Sequence, residues 1–545
     1  MRAVRRRKAD GARGLSGAAL MLFLGVAALP LAAALASAAK GGGLMAAMGR
    51  VLAAPSTLRA TVFGLEQAAL STLVALAIGL PGAWLCARYD FPGKRLLRSL
   101  SSVPFCVPPI LVVLAFVLYY GRSGILNRAL MAAFGLDEPP ITFLFSLGGL
   151  VLVHGFYNFP IVLQNVGSVW EGITEEREEA ARSLGAGPFR SFLTGSLPSL
   201  GPAIAESAAL VFLFCFFSFV VVLVFGPLGA ANLEVEIYRA ARFRLDPTTA
   251  SALALVETAI ALCAVLLFQA SASRGKAIQA RSRGRPRARK PRGAAAALLA
   301  AYGFLIIVFF LGPLLSLAAE AFAVKRGAGS GSRFGLGNFA RLLDGEAPLL
   351  RALGDSLATA IPAALIATAA GCGLSLLLRR RGGSRLLEAA LSLPLAVSGV
   401  VTSLGWSIIF PSGGLALISF VLAFSALPFA QRSMSAALAT LPENPPLAAR
   451  TLGAGRLRAV LEVELPAAAP VLLSTLAFTF SMAVGDANVP LLLGQGDFEP
   501  LPLLIYRLVG AYRFPEACAA GLALAALTGF IFFMKDKGDG LSRGR

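Results

Sequence analysis

Histidine is almost absent from these 545 residues: there is one, His154. A metal centre needs several convergent ligands, so a histidine-built site is excluded, and His154 reads as a hydrogen-bonded packing residue. Cysteine is sparse as well. The six (Cys86, Cys106, Cys215, Cys263, Cys372 and Cys518) lie in or beside apolar runs with no C-x-x-C pair, which excludes a disulfide scaffold and leaves small hydrophobes. No G-x-x-x-x-G-K-[ST] loop occurs; the glycine-rich stretch Gly327 to Ser332 lacks the lysine, so the chain has no phosphate cradle of that kind with which to hydrolyse ATP. Charged residues make up only 14 %, too few for a soluble enzyme or a disordered chain. No catalytic residue and no metal ligand is assigned.

What is present is apolar. Hydrophobic residues reach 57 %, with 57 further glycines and a mean hydropathy of +0.75. Runs long enough to cross a bilayer predict an all-α polytopic membrane protein of twelve spans. In the first half they lie near 15–39, 60–87, 100–120, 141–164, 197–224 and 248–270; in the second, near 294–318, 353–378, 386–410, 414–430, 465–485 and 516–534. The basic start, Met1 to Arg13, ahead of an apolar run ending at Ala38-Ala39 is similar to a signal peptide, but the run is too long for one and predicts an uncleaved first span. With that terminus inside, 34 of the 49 Lys and Arg fall on the inner side, which places both termini in the cytoplasm. The net charge of +20 therefore orients the chain rather than marking a nucleic-acid surface. The most basic stretch, Arg274 to Arg292, is expected to be a cytoplasmic linker against anionic lipid.

The two halves repeat. Ala181-Arg182-Ser183-Leu184-Gly185-Ala186-Gly187 returns as Ala449-Arg450-Thr451-Leu452-Gly453-Ala454-Gly455, displaced by 268 positions, and the same displacement carries Ile237-Tyr238-Arg239 onto Ile505-Tyr506-Arg507. Earlier, Arg95-Leu96-Leu97 and Pro104 map onto Arg385-Leu386-Leu387 and Pro394 at 290. The difference of 22 is about the length of an insert from Gly121 to Thr142 in the first half. The expected division is a first repeat 1–270, a basic linker 271–293 and a second repeat 294–545, each repeat holding six spans and the two parallel in topology.

The most informative segments are the inner loops 171–197 and 439–465. In the first, Glu179-Ala180-Ala181 is followed by Gly185 and then by Leu197-Pro198. In the second, Leu447-Ala448-Ala449 is followed by Gly453 and then by Leu465-Pro466, at identical spacing. The pattern predicts a short helix, a glycine turn, a second short helix and a proline opening the next span. It resembles the E-A-A-x3-G-x9-I-x-L-P signature of permease subunits of bacterial binding-protein-dependent ABC importers, with Leu447 in place of the second Glu and Gly195 in place of one Ile.

The resemblance implies a type I ABC importer transmembrane domain in the bacterial inner membrane, with each loop a coupling helix docked on one of two separate cytoplasmic ATPase subunits. Those subunits use ATP and Mg, no cofactor belongs to this chain, and a periplasmic binding protein delivers the solute. Two fused permease copies are typical of the thiamine and iron(III) branch. Phe214-Cys215-Phe216-Phe217-Ser218-Phe219, Val484-Gly485-Asp486 and Gly510-Ala511-Tyr512-Arg513 are similar to the thiamine-type permease. Acids at membrane depth are costly, so Glu206 and Asp486 are candidates to line the pathway of a cationic solute. The rival reading is a proton-coupled carrier of twelve spans. Against it, the best identity between the halves lies in the loops after spans four and ten, not in those after spans two and eight.

Overall fold

The computed structural model describes residues 21, 23–40, 43–94, 97, 107–173, 176–227, 229–279, 289–325, 332–344, 349–380, 396–441 and 444–543. The amino-terminal basic stretch, residues 280–288 of the linker, Pro104 and Pro394, and the starts of the third and ninth expected spans lie outside these residues. In chain order the first half holds α1 (Phe23–Ala39), α2 (Leu44–Ala53), α3 (Pro55–Arg88), α4 (Pro109–Tyr120), α5 (Ile125–Phe134), α6 (Leu147–Trp170), α7 (Glu176–Ser183), α8 (Leu197–Phe216), α9 (Val220–Phe225), α10 (Leu233–Tyr238) and α11 (Pro247–Gln279). The second half holds α12 (Ala294–Ile306), α13 (Gly312–Ala321), a hairpin of β1 (Ala323–Lys325) and β2 (Ser332–Phe334), α14 (Gly337–Asp344), α15 (Leu349–Arg380), α16 (Gly399–Ile409) and α17 (Leu415–Thr440). It continues with α18 (Asn444–Thr451), α19 (Leu465–Gly485), α20 (Asn488–Leu493), α21 (Leu501–Gly510) and α22 (Phe514–Arg543).

Among the described residues nine helices are long and apolar enough to span a bilayer, or ten if α1 and α2 form one bent span. These nine take in the second to eighth, tenth and eleventh of the expected twelve; the first is the bent pair, the ninth begins outside the described residues, and Gly399–Ile409 and Phe514–Gly529 are shorter apolar helices within the ninth and twelfth.

The elements carry the repeat. Counterpart helices begin 290 positions apart at Pro109 and Gly399, and 268 apart at Leu147 and Leu415, Glu176 and Asn444, Leu197 and Leu465, and Leu233 and Leu501. The register changes across the insert, which forms α5. There Asn127 ties the insert shut, its Nδ2 donating to the carbonyls of Gly121 (2.9 Å) and Ile141 (2.7 Å) while its Oδ1 accepts from Ile141 N (2.8 Å).

The helices cluster into two compact units that interleave the sequence halves. One comprises Met48–Glu346 with Ile505–Leu522. In it α3 and α6 run together through small residues: a Cβ at Gly79 would stand 2.6 Å from that of Val162, so only glycine permits the approach. The first helices of the second half pack here. Tyr120 Oη donates to Phe309 O at 3.2 Å, and Phe159 and Phe310 meet edge-on at 5.4 Å. Buried Glu516 pairs with Arg341 (3.3 Å) and Arg513 (2.6 Å) and fastens the segment after α21.

The other unit comprises Met1–Ala47, Ala347–Leu504 and Ala523–Arg545. Its α15 and α17 make the matching close contact, Gly371 against Ala430, and Ser375 Oγ donates to Gln431 O at 2.8 Å. Here α1, from the first half, packs on second-half helices, with Pro30 against Gly405 and Phe23 6.0 Å from Phe424. Each unit thus takes its leading span from the other half of the sequence.

Candidate functional site: two matched loops

The loops after α6 and α17 are built alike. In the first, α7 ends where Gly185 takes φ +85°, its N–H donating to Arg182 O (2.9 Å) and that of Ala186 to Ala181 O (3.0 Å). In the second, Gly453 takes φ +94°, with Gly453 N to Arg450 O (3.2 Å) and Ala454 N to Ala449 O (3.0 Å). This paired bonding closes a helix on a left-handed residue, and it satisfies carbonyls that the helix end leaves free.

After each turn come one short helix, Pro188–Ser191 or Arg456–Ala459, and one π-helical turn, Phe192–Ser196 or Val460–Glu464. Leu197-Pro198 and Leu465-Pro466 then open α8 and α19, each proline in the first turn where its missing N–H costs nothing. The π turns stand at the 268 displacement and have no counterpart in the spacing of the signature residues. They had no signal in the sequence.

What the loops present is apolar. Leu184 and Phe189 are 89 % and 74 % exposed, and their counterparts Leu452 and Leu457 are 88 % and 72 % exposed. Glu179, Ala180, Gly185, Leu447, Ala448 and Gly453 are exposed beside them, and Ala181 and Ala449 are half-buried. Large side chains left bare at matched positions of two loops suit a partner surface.

The acid that holds the first loop is not the signature Glu179 but its neighbour Glu178. Buried, it accepts from Arg88 Nη2 (2.8 Å), from Arg182 Nη2 (3.3 Å) and from Ser196 Oγ. The run Glu176-Arg177-Glu178-Glu179 gives no hint which acid turns inward, because the deciding partner lies at the end of α3.

The two pathway candidates fall in different units. Glu206 is exposed on α8, beside buried Ser207. Asp486 is half-buried just past α19, where its Oδ1 accepts from Val489 N at 3.0 Å and caps α20. A cap needs only an acceptor, so Asp486→Asn should lower the thermal midpoint by little, whereas Asp486→Leu should cost about 1 kcal/mol. Thermal unfolding in detergent beside an uptake assay separates this from a pathway role, which would show as lost uptake in a stable Asp486→Asn chain.

His154 is buried on α6, with Nε2 2.8 Å from Ser218 Oγ and Nδ1 3.5 Å from Ser71 Oγ, in line with a packing role. It belongs to a polar cluster around the break between α8 and α9. Gln67 Nε2 donates to Cys215 O (2.7 Å), Asn232 Nδ2 to Ser218 O (3.0 Å), and Asn158 Nδ2 to His154 O (2.9 Å). Gln67 and Asn232 were not legible as members, since their partners are backbone carbonyls far along the chain.

The chain matches the family model described as "Binding-protein-dependent transport system inner membrane component" twice, over residues 79–277 and 304–535. It is 26 % identical over 536 residues to the thiamine transport system permease protein ThiP of Brucella abortus (strain 2308), covering 96 % of this chain and 95 % of that one. To the protein of the same name from Escherichia coli (strain K12) it is 27 % identical over 494 residues, covering 87 % and 88 %. A putative 2-aminoethylphosphonate transport system permease protein, PhnU, of Salmonella typhi is 31 % identical over 210 residues, covering 38 % of this chain and 73 % of the relative. The twofold match spans most of the chain and its helices are those of a multi-pass membrane protein. The chain therefore belongs to the family of binding-protein-dependent transport system inner membrane components, as an ABC importer permease.

Proposed function

We propose that this permease imports thiamine, driven by two separate cytoplasmic ATPase subunits that use ATP and Mg, from a periplasmic binding protein. In this reading the repeats 1–270 and 294–545 surround one pathway, both termini and the basic linker are cytoplasmic, and no nucleic acid takes part. The observation that carries it is the pair of matched loops, each a capped helix with two bare apolar side chains, on opposite halves of a duplicated scaffold. ATP binding closes the ATPase dimer and draws the loops together. The spans then open toward the binding protein, and hydrolysis resets them. Thiamine is favoured over iron(III) or an aminophosphonate because the relatives that cover nearly the whole chain are thiamine permeases, while the aminophosphonate relative covers 38 % of it.

The test is uptake of labelled thiamine by proteoliposomes holding the chain with its ATPase, binding protein outside and ATP within. Uptake should need all three components. Uptake by the chain alone under a proton gradient would support the secondary-carrier reading instead, and ATP-dependent uptake of iron(III) but not thiamine would correct the substrate alone.

A further inference from the structure

The two loops share a backbone but not an anchor. Glu178 sits in the first turn of α7, where a carboxylate is favoured, and it is held by the cation at the end of α3 and by the hydroxyl of Ser196 in the π turn before α8. One buried carboxylate therefore joins a loop helix to two long helices. The same point holds the chain that links the halves. Arg289 N donates to Arg88 O (3.2 Å) and Asp90 N donates to Arg289 O (3.0 Å), a strand-like pair beside the Arg88 guanidinium's own helix turn.

In the second loop the 268 displacement puts Pro446 where Glu178 stands and Glu464 where Ser196 stands. A proline has no carboxylate to offer. At the end of α15, Arg379 Nη2 instead donates to the carbonyl of Leu441 at 3.0 Å, ahead of the loop helix rather than on it, and α18 has no buried side chain.

We propose that Glu178 is a positioning residue: with Arg88 it makes the first loop helix move as one body with α3 and α8, while the second loop helix has, among the described residues, no buried carboxylate of this kind and is held through its backbone turns. The consequence is a division of labour between nominally equivalent loops. Displacement of the first loop by its ATPase reaches the spans through a charge-assisted link that resists stretching. The second follows by its chain connections. This rests on the reading of the loops as ATPase contacts.

Two variants in the full complex of permease, ATPase and binding protein test it. Glu178→Gln removes the carboxylate charge that Arg88 meets on α7; the double variant Arg88→Met with Glu178→Met removes both charges and fills the space, which buried pairs tolerate well. The readouts are thermal midpoint, co-purification of the ATPase, and solute moved per ATP hydrolysed. The double variant should keep its midpoint and its ATPase yet move at least about fivefold less solute per ATP, the lower end of a measurable coupling between sites. If it transports as the parent does, Glu178 merely neutralises a buried arginine and the proposal is overturned. Should Gly185→Val also leave transport per ATP unchanged, the reading of the loops as ATPase contacts fails with it, so the two failures are told apart.

Discussion

Gly185→Val and Gly453→Val should each leave an inserted, helical permease whose ATPase turns over with little transport. The space is not the obstacle, because a Cβ at either glycine meets nothing within 4 Å. The backbone is the obstacle: φ of +85° and +94° costs a β-branched residue about 1–2 kcal/mol, enough to shift the turn out of its left-handed form. The paired bonds to the carbonyls of Ala181 and Arg182, or of Ala449 and Arg450, are then lost, and the bare leucine at 184 or 452 changes its direction. The second variant should be the worse of the two. With no buried side chain on α18, the turn is its main restraint, whereas α7 keeps Glu178. Solute-stimulated ATPase compared with uptake in the same vesicles reads this directly. Unchanged uptake per ATP in both variants would remove the loops from the coupling path. Alanine at either position should be milder than valine, since it lacks the branched carbon.

The spacing of glycine and proline was legible in the sequence because both residues act through their own backbone: one permits a positive φ, the other opens a helix. The repeat was legible for the same reason, and the change of register from 290 to 268 located the insert before any helix was seen. What local sequence could not carry was pairing at a distance. Arg88 and Glu178 are 90 positions apart, and nothing near either marks the other. The exchange of leading spans between the units depends on Pro30 meeting Gly405 and on Phe310 meeting Phe159. Hydropathy likewise cannot see where an apolar run stops being helical. The break after Phe216 lies inside the single predicted span 197–224, because Ser218 between Phe217 and Phe219 does not interrupt the apolar run.

That break is where Asn232→Leu should do its largest damage. The break frees carbonyls from the helical ladder, those of Phe216 and Ser218 among them, and in an apolar surrounding a freed carbonyl must be met by another donor. Asn232 meets two of them, Phe216 O at 3.4 Å and Ser218 O at 3.0 Å, and its Oδ1 also accepts from Val235 N at 3.1 Å to start α10. Leucine keeps the volume and removes all three bonds. An unmet buried carbonyl costs about 1–3 kcal/mol and a lost cap about 1 kcal/mol, so the variant should lose about 3 kcal/mol. Gln67→Leu removes the donor to Cys215 O and one to Gly64 O, and belongs at the lower end of the same range. The second half solves the equivalent break differently. The 268 displacement puts Asp486 at the place of Ser218, Ala483 at that of Cys215 and Pro500 at that of Asn232, so one carboxylate at the break itself starts α20. At the start of α21 the distant side chains come from α15 instead, Ser356 Oγ accepting from Leu501 N at 2.8 Å and Asp355 Oδ2 from Glu499 N at 2.9 Å. Denaturation midpoints in detergent for Asn232→Leu, Gln67→Leu and Asp486→Leu should fall in that order of severity, with Asp486→Leu the mildest because its half-buried carboxylate starts one short helix and meets no freed carbonyl. If Asn232→Leu proves as stable as the parent, the break is held by packing around Phe216 and Phe219 rather than by its hydrogen bonds.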